Sequence, residues 1–116
     1  MESLTPPMPL TDLSWLKAKP FAHRGLHTEE FPENSLGAIR HAIAHGYPVE
    51  IDVQVTADGI PVVFHDWTLD RLTGQPGVVS ETPFATLAHL RLCGTEEKIP
   101  RLVDVLEVLG DHTAIL

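Results

Sequence analysis

The stretch Val49-Glu50-Ile51-Asp52-Val53-Gln54-Val55-Thr56 alternates β-branched apolar residues with polar ones over eight positions. A period of two marks a strand with one apolar and one polar face, so a strand is predicted over 49–56. Ala57-Asp58-Gly59 follows as a turn of the Asp-Gly type. Ile60 to His65 is predicted as a second strand, with Pro61 near its start. Upstream, Pro20 to Arg24 is a short candidate strand stopped by Gly25. Ser35 to His45 reads as a helix, because Leu36, Ile39 and Ile43 recur at helical spacing. Asn34 or Ser35 can cap its start, and Gly46 stands where a C-terminal glycine belongs. Downstream, Glu81 to Leu92 reads as a helix capped by Ser80 or Thr82. Leu102 to Leu109 reads as another, with Leu102, Val105, Leu106 and Leu109 on one stripe and Gly110 at its end. Ala114 to Leu116 begins a further apolar run. Strands alternating with helices predict an α/β fold with parallel pairing.

Composition bounds the function. The chain has 116 residues, 8 basic and 16 acidic, for a formal charge of −8, and 43% of it is hydrophobic. That apolar share argues against extensive disorder, and the length suits one domain. An acidic balance disfavours nucleic acid, whose phosphates need surplus Lys and Arg. The single Cys forms no internal disulfide, and no zinc-type Cys/His spacing surrounds Cys93. The first ten residues have neither a basic nor a continuous apolar segment, so no signal peptide is read there. No run of about 18 apolar residues predicts a membrane span. A cytoplasmic location is the expectation. Residues 1–19, with three prolines in four positions, are expected to be an irregular lead-in, with a helical turn at Leu13, Trp15 and Leu16. Residues 20–116 are expected to form the domain.

Three polar clusters carry chemistry. His23-Arg24-Gly25 closes the first strand. Ligands of parallel α/β folds collect at carboxyl ends of strands. A His there transfers protons near neutral pH, and an Arg forks onto phosphate. Glu50 and Asp52 lie two apart, roughly 6.6 Å along one strand face. Paired carboxylates repel unless a cation joins them, and Mg²⁺ or Ca²⁺ prefers oxygen donors. His65-Asp66 ends the second strand and repeats the first design. Each cluster alone also fits ordinary polar surface. Together they supply two histidines for moving protons, an Arg for phosphate and a cation site, which is what cleaving a phosphodiester requires.

The other candidates are weaker. His41 and His45 are i,i+4 but lie off the apolar stripe without an acid, so they are expected on a solvated helix face. His27, His89 and His112 show no evident partners. Trp15 and Trp67 are expected to be packing anchors, with Trp67 placed to wall a pocket. Cys93 is expected to act as a small hydrophobe.

The order of blocks is similar to a known family. Ala22-His23-Arg24-Gly25, Pro32-Glu33-Asn34-Ser35, Glu50-Ile51-Asp52-Val53, Thr56-x-Asp58-Gly59, His65-Asp66, Leu69-x-Arg71 and Ile99-Pro100-x-Leu102 resemble the amino-terminal half of glycerophosphodiester phosphodiesterases. The resemblance implies a (β/α)₈ barrel that hydrolyses glycerophosphodiesters to glycerol 3-phosphate and an alcohol with a divalent cation, Mg²⁺ or Ca²⁺. Carried onto matching positions, His23 and His65 become the acid–base pair, Arg24 the phosphate contact, and Glu50 and Asp52 metal ligands. The family's third metal-binding acid has no counterpart up to Leu116. Arg101 stands where the family has a small polar residue. A (β/α)₈ barrel takes about 250 residues, so the chain is expected to be a truncated barrel with weak or no turnover of its own. The expected partner is a small-molecule substrate, with self-association through an open barrel edge as a further expectation. The alternatives are a phosphodiester- or partner-binding module without turnover, and a plain α/β interaction domain.

Overall fold

The computed structural model describes residues 22–112 and 114–115. The expected lead-in, the turn at Leu13 to Leu16, and Pro20 and Phe21 lie outside the described residues. The elements run β1 (Ala22–His23), α1 (Leu36–Ala44), β2 (Val49–Glu50), β3 (Val53–Val55), β4 (Pro61–Val63), α2 (Asp70–Thr73), a 3₁₀ turn (Val79–Glu81), α3 (Phe84–Leu87), α4 (Leu102–Leu109) and β5 (Ala114–Ile115).

The eight-residue alternation is not one strand. β2 is the middle of a parallel sheet ordered β1-β2-β5, with Glu50 in register with His23 on one side and Ile115 on the other. β3 leaves that sheet and pairs antiparallel with β4. The partner changes at Ile51-Asp52, and the Asp52 carbonyl already accepts the Phe64 N–H at 2.9 Å. The alternation changes phase there. Val49 and Ile51 are fully buried, whereas Val53 and Val55 are 37% and 51% exposed and Thr56 turns inward. The parallel expectation therefore holds for β1, β2 and β5 and fails for β3 and β4. The turn joins β3 and β4 as the Asp-Gly pair suggests: Thr56 N–H donates to Ile60 O, and Gly59 takes φ +80°.

β4 is covered on both faces. Val63 enters a core with Ala22, Ile39, Ala42, Val49, Ile51, Val105 and Leu109. Val62 and Phe64 enter a second core with Leu69, Leu72, Val79, Leu87, Leu92 and Ile99. That double burial explains the unbroken apolar run Val62-Val63-Phe64.

α1 forms where its periodicity and cap place it. Ser35 is the N-cap, its hydroxyl accepting the Ala38 N–H at 3.0 Å, and Gly46 has φ +73° just past the end. α4 matches its predicted range, but Leu106 is 53% exposed and leaves the expected stripe to Val105 and Leu109, with Leu102 and Val108 partly buried. Arg101 precedes α4, and its backbone N–H and guanidinium both donate to Asp104. The predicted helix over 81–92 is replaced by the 3₁₀ turn and the four-residue α3. Pro83 accounts for the late start: it holds Thr82 extended (φ −119°, ψ 130°), so no helix runs through 82–83 and α3 begins at Phe84 with Pro83, not Ser80 or Thr82, as its N-cap.

Four minor expectations are also corrected. Trp67 is 81% exposed and anchors no core. Cys93 is exposed, in a left-handed turn at φ +53°. His41 is partly buried, its Nδ1 3.0 Å from Leu26 O and its ring edge-on to Phe31. Likewise His112 meets Tyr47 O. Among the described residues no helix is long and apolar enough to cross a membrane.

Candidate active site

Register builds the site. Parallel pairing sets Glu50 beside His23, and His23 Nε2 lies 3.7 Å from Glu50 Oε1. The chain then turns sharply. Arg24 (φ +58°) and Gly25 (φ +80°) are both left-handed, and a Cβ at Gly25 would stand 3.0 Å from the Ala38 backbone and side chain. A left-handed non-glycine residue costs roughly 1–2 kcal/mol. Two hydrogen bonds hold Arg24 there: its N–H donates to Glu50 Oε1 at 3.0 Å, and its carbonyl accepts the Asn34 N–H at 2.7 Å. Asn34 is itself left-handed at φ +59°, and its side-chain amide donates to Asp52 Oδ2 at 3.1 Å.

The Arg24 side chain is bracketed by acids. Nη1 donates to Glu33 Oε2 at 3.1 Å, and Nε lies 3.4 Å from Asp52 Oδ2. Among the described residues no carboxylate accepts a hydrogen bond from Nη2. Glu50 and Asp52 thus meet cationic or donor groups on one oxygen each. Their other oxygens, Glu50 Oε2 and Asp52 Oδ1, have no partner among the described residues.

A second lattice adjoins the first. Glu33 is buried and accepts Arg71 Nη1 at 3.0 Å and Nη2 at 2.8 Å. Arg71 also donates from Nε and Nη2 to the two oxygens of Asp66, at 2.8 and 3.0 Å. Asp66 in turn accepts His65 Nδ1–H at 2.8 Å. Burial raises the Glu33 pKa, but the hydrogen bonds and charge of Arg71, with Arg24 behind, outweigh it and hold the carboxyl below its usual range. The Arg71 hydrogen bonds hold Asp66 well below the aspartate range against a smaller burial effect, helped by His65. Reciprocally, Asp66 and then Glu33 raise Arg71 further above its already high value. An ionised Asp66 accepts only, so Nδ1 of His65 carries the proton and Nε2 is left for other chemistry.

The predicted residues come together in one connected network. His23, Arg24, Glu50 and Asp52 sit on one side, and His65 joins through Asp66, Arg71 and Glu33. One geometric expectation is corrected: His65 does not end a strand of the parallel sheet but lies two residues past β4 of the antiparallel pair. Sequence reasoning gave no site role to Glu33, Gln54 or Arg71, and read Asn34 only as a candidate helix cap. The blocks holding Glu33, Asn34 and Arg71 were visible, yet neither composition nor periodicity says which ion pairs they make.

Two acidic groups can be weighed as cation sites. Ligand atoms of Glu33, His65 and Asp66 lie within 4.8 Å of one another. That proximity is already explained, since both carboxylates are drawn onto the Arg71 guanidinium. Glu50 and Asp52 stand among nitrogen donors of His23, Arg24 and Asn34, but each keeps one carboxylate oxygen without a partner among the described residues, the donor type a hard divalent cation prefers.

Comparison with known proteins follows the same path. The glycerophosphoryl diester phosphodiesterase family matches residues 23–116. Human glycerophosphodiester phosphodiesterase 1 is 37% identical over 100 residues, covering 78% of this chain and 30% of that protein. A glycerophosphodiester phosphodiesterase of Caldanaerobacter subterraneus is 36% identical over 105 residues, covering 83% of this chain and 42% of its own. Among solved structures, an Oleispira antarctica phosphodiesterase in complex with the product sn-glycerol-3-phosphate superposes with TM-score 0.72 and 38% identity, over 82% of this chain and 42% of that one. The Thermotoga maritima glycerophosphodiester phosphodiesterase gives TM-score 0.71 and 35% identity over 82% of this chain and 40% of that one. This chain therefore spans well under half the length of the relatives it matches.

Proposed function

The chain belongs to the glycerophosphoryl diester phosphodiesterase family, with the fold of the amino-terminal portion of its (β/α)₈ barrel, and from that premise we propose that His23, Arg24, Glu50, Asp52 and His65 are part of a centre that hydrolyses glycerophosphodiesters. The products are glycerol 3-phosphate and an alcohol. The observation that carries this reading is the register His23↔Glu50, which joins a strand-end His and its following Arg to the Glu50/Asp52 pair.

Each residue has a task. His23 and His65 are the proton-transfer pair, one taking the proton of the attacking oxygen and the other supplying one to the leaving alkoxide. Asp66 fixes the tautomer of His65, so its Nε2 is the working atom. Arg24 presents Nη2 to a non-bridging phosphate oxygen. Glu50 and Asp52 hold a divalent cation, Mg²⁺ or Ca²⁺, which when bound supplies positive charge for the phosphate oxygens. The partner is a small molecule, and the expected location is the cytoplasm.

The test is metal-dependent release of glycerol 3-phosphate from glycerophosphocholine. His23→Ala or His65→Ala should each lower kcat at least 100-fold. Retention of parental kcat by either variant overturns the assignment. Because the chain spans only 30% and 42% of two relatives' lengths, turnover by these 116 residues alone is expected to be weak. That coverage also supports a second reading, a phosphodiester-binding module without turnover. Saturable glycerophosphodiester binding with no product release, in this chain and in its extension through a complete barrel, would favour the second reading.

A further inference from the structure

Gln54 is the one polar side chain of β3, and it does not point to solvent like its neighbours Val53 and Val55. Its ladder partner is Val62, yet its amide reaches past the end of β4. Nε2 lies 2.8 Å from Phe64 O, 3.2 Å from His65 O and 2.6 Å from Asp66 O. Three consecutive carbonyls converge on one NH₂ group. With two hydrogens for three acceptors, one hydrogen is shared.

This matters because β4 ends at Val63. The carbonyls of 64–66 lie beyond the paired strand, where nothing in the ladder fixes the backbone. On the other side, Phe64 N–H is tied to Asp52 O at 2.9 Å. The peptide units carrying His65 and Asp66 are therefore held between β3's side chain and the chain just before β3.

We infer that Gln54 is a positioning residue for His65: it curls segment 64–66 around its amide and so sets where the imidazole stands relative to the Arg24/Glu50/Asp52 side of the site. The inference rests on the functional reading above. Gln54 touches no reacting atom. It acts through the His65 backbone, as Asp66 acts through the ring. A donor pair is required at this point. Met has nearly the same length and no N–H, and Glu offers only acceptors to three acceptors.

The test compares the protein with its Gln54→Met variant. In the parent, scalar couplings across hydrogen bonds from Gln54 Nε2 to the carbonyl carbons of Phe64 and Asp66 should be detectable by NMR, a measurement needing no variant. Their absence overturns the clamp. In Gln54→Met, the carbonyl ¹³C resonances of 64–66 and the His65 ring resonances should move. For glycerophosphocholine, kcat should fall at least ten-fold while KM stays within two-fold. Gln54→Glu should fall further. Unmoved resonances, or moved resonances with kcat within two-fold of the parent, overturn the proposal. If neither the parent nor its extension through a complete barrel shows turnover, the functional reading fails by itself. The couplings and resonances then still decide the clamp, sustaining it if present and shifted and overturning it if not.

Discussion

Replacing Glu33 by Gln tests whether the two halves of the site are held by charge. Glu33 has a side chain 9% exposed and accepts three charge-assisted hydrogen bonds, from Arg24 Nη1 and from Arg71 Nη1 and Nη2. Gln is the same size. Its oxygen can keep the two bonds now made by Oε2, but its NH₂ then faces the Arg71 Nη1–H, donor against donor. One charge-assisted bond is lost, worth about 1.5–3 kcal/mol, and two guanidinium groups lose the anion between them. Truncating a fully buried pair costs about 3–5 kcal/mol. Arg71 is 50% exposed and retains Asp66, so solvent screens part of the cost. The expected loss is about 2–3 kcal/mol near pH 7. The pH dependence gives a sharper check. Glu33 has a folded-state pKa below its ordinary 4.5 and Asp66 one below its ordinary 3.8. Around those values the unfolded chain binds more protons than the folded one. Their stabilisation is complete above the unfolded values and is lost as pH falls through the folded ones. Asp58 of the hairpin turn and Asp104, also held below the usual aspartate range by their hydrogen bonds, titrate in both proteins and cancel in the difference, so the Glu33 share can be isolated. Urea unfolding followed by far-ultraviolet circular dichroism should show the gap between parent and Glu33→Gln narrowing from pH 7 to about pH 3. A gap under about 0.5 kcal/mol at pH 7, the level of an ordinary surface change, or one that does not change with pH, would refute the reasoning.

Two further outcomes follow from the same geometry. Gly25→Ala places a Cβ 3.0 Å from Ala38 in a φ +80° conformation; it should cost about 1–3 kcal/mol in urea unfolding, and a neutral result would show that the His23-Arg24 turn is not constrained as described. Millimolar Mg²⁺ or Ca²⁺ should raise the thermal midpoint by mass action, by about 1.4 kcal/mol at ten times the dissociation constant; the double variant Glu50→Gln/Asp52→Asn should abolish the shift, and an equal shift in the variant would move the cation to the Glu33/His65/Asp66 group.

The legible parts of the fold were those where a local signal and the tertiary environment agreed. α1 was legible because the Ser35 cap, the Leu36/Ile39/Ile43 spacing and Gly46 all say one thing, and the packing of Ile39 between sheet and α4 says it again. His23, Glu50 and Asp52 each fit ordinary polar surface taken alone; what singled them out was their occurrence together, and register then sets His23 beside Glu50. The helix over 81–92 was not legible because Pro83 excludes its preceding residue, Thr82, from helical geometry, so only Phe84–Leu87 forms an α-helix there. Trp67 was misread because a large aromatic is usually buried, and nothing local reveals that the Gln54-bound segment turns it outward.

The misreading of 49–56 has the most functional content. Periodicity of two says that alternate side chains share a face, but it carries no information about which sheet provides that face. Up to Ile51 the apolar side packs beneath the parallel sheet. After Asp52 the chain has changed partners, and the same alternation now sends Val53 and Val55 out and Gln54 in. One continuous strand would have kept Gln54 on the face of Glu50 and Asp52, as a third polar group beside a cation. The change of partner instead aims it at the carbonyls behind His65. It also lets a single segment serve both halves of the site, Glu50 and Asp52 toward His23 and Arg24, and Gln54 toward His65. Antiparallel return of β4 is what makes this possible, since it brings residues 64–66 back alongside Asp52 and Gln54 within about ten residues of chain. A parallel partner would have required a crossover of a dozen or more residues, with no hairpin to bring the His65 segment back beside the segment whose β2 end pairs with His23.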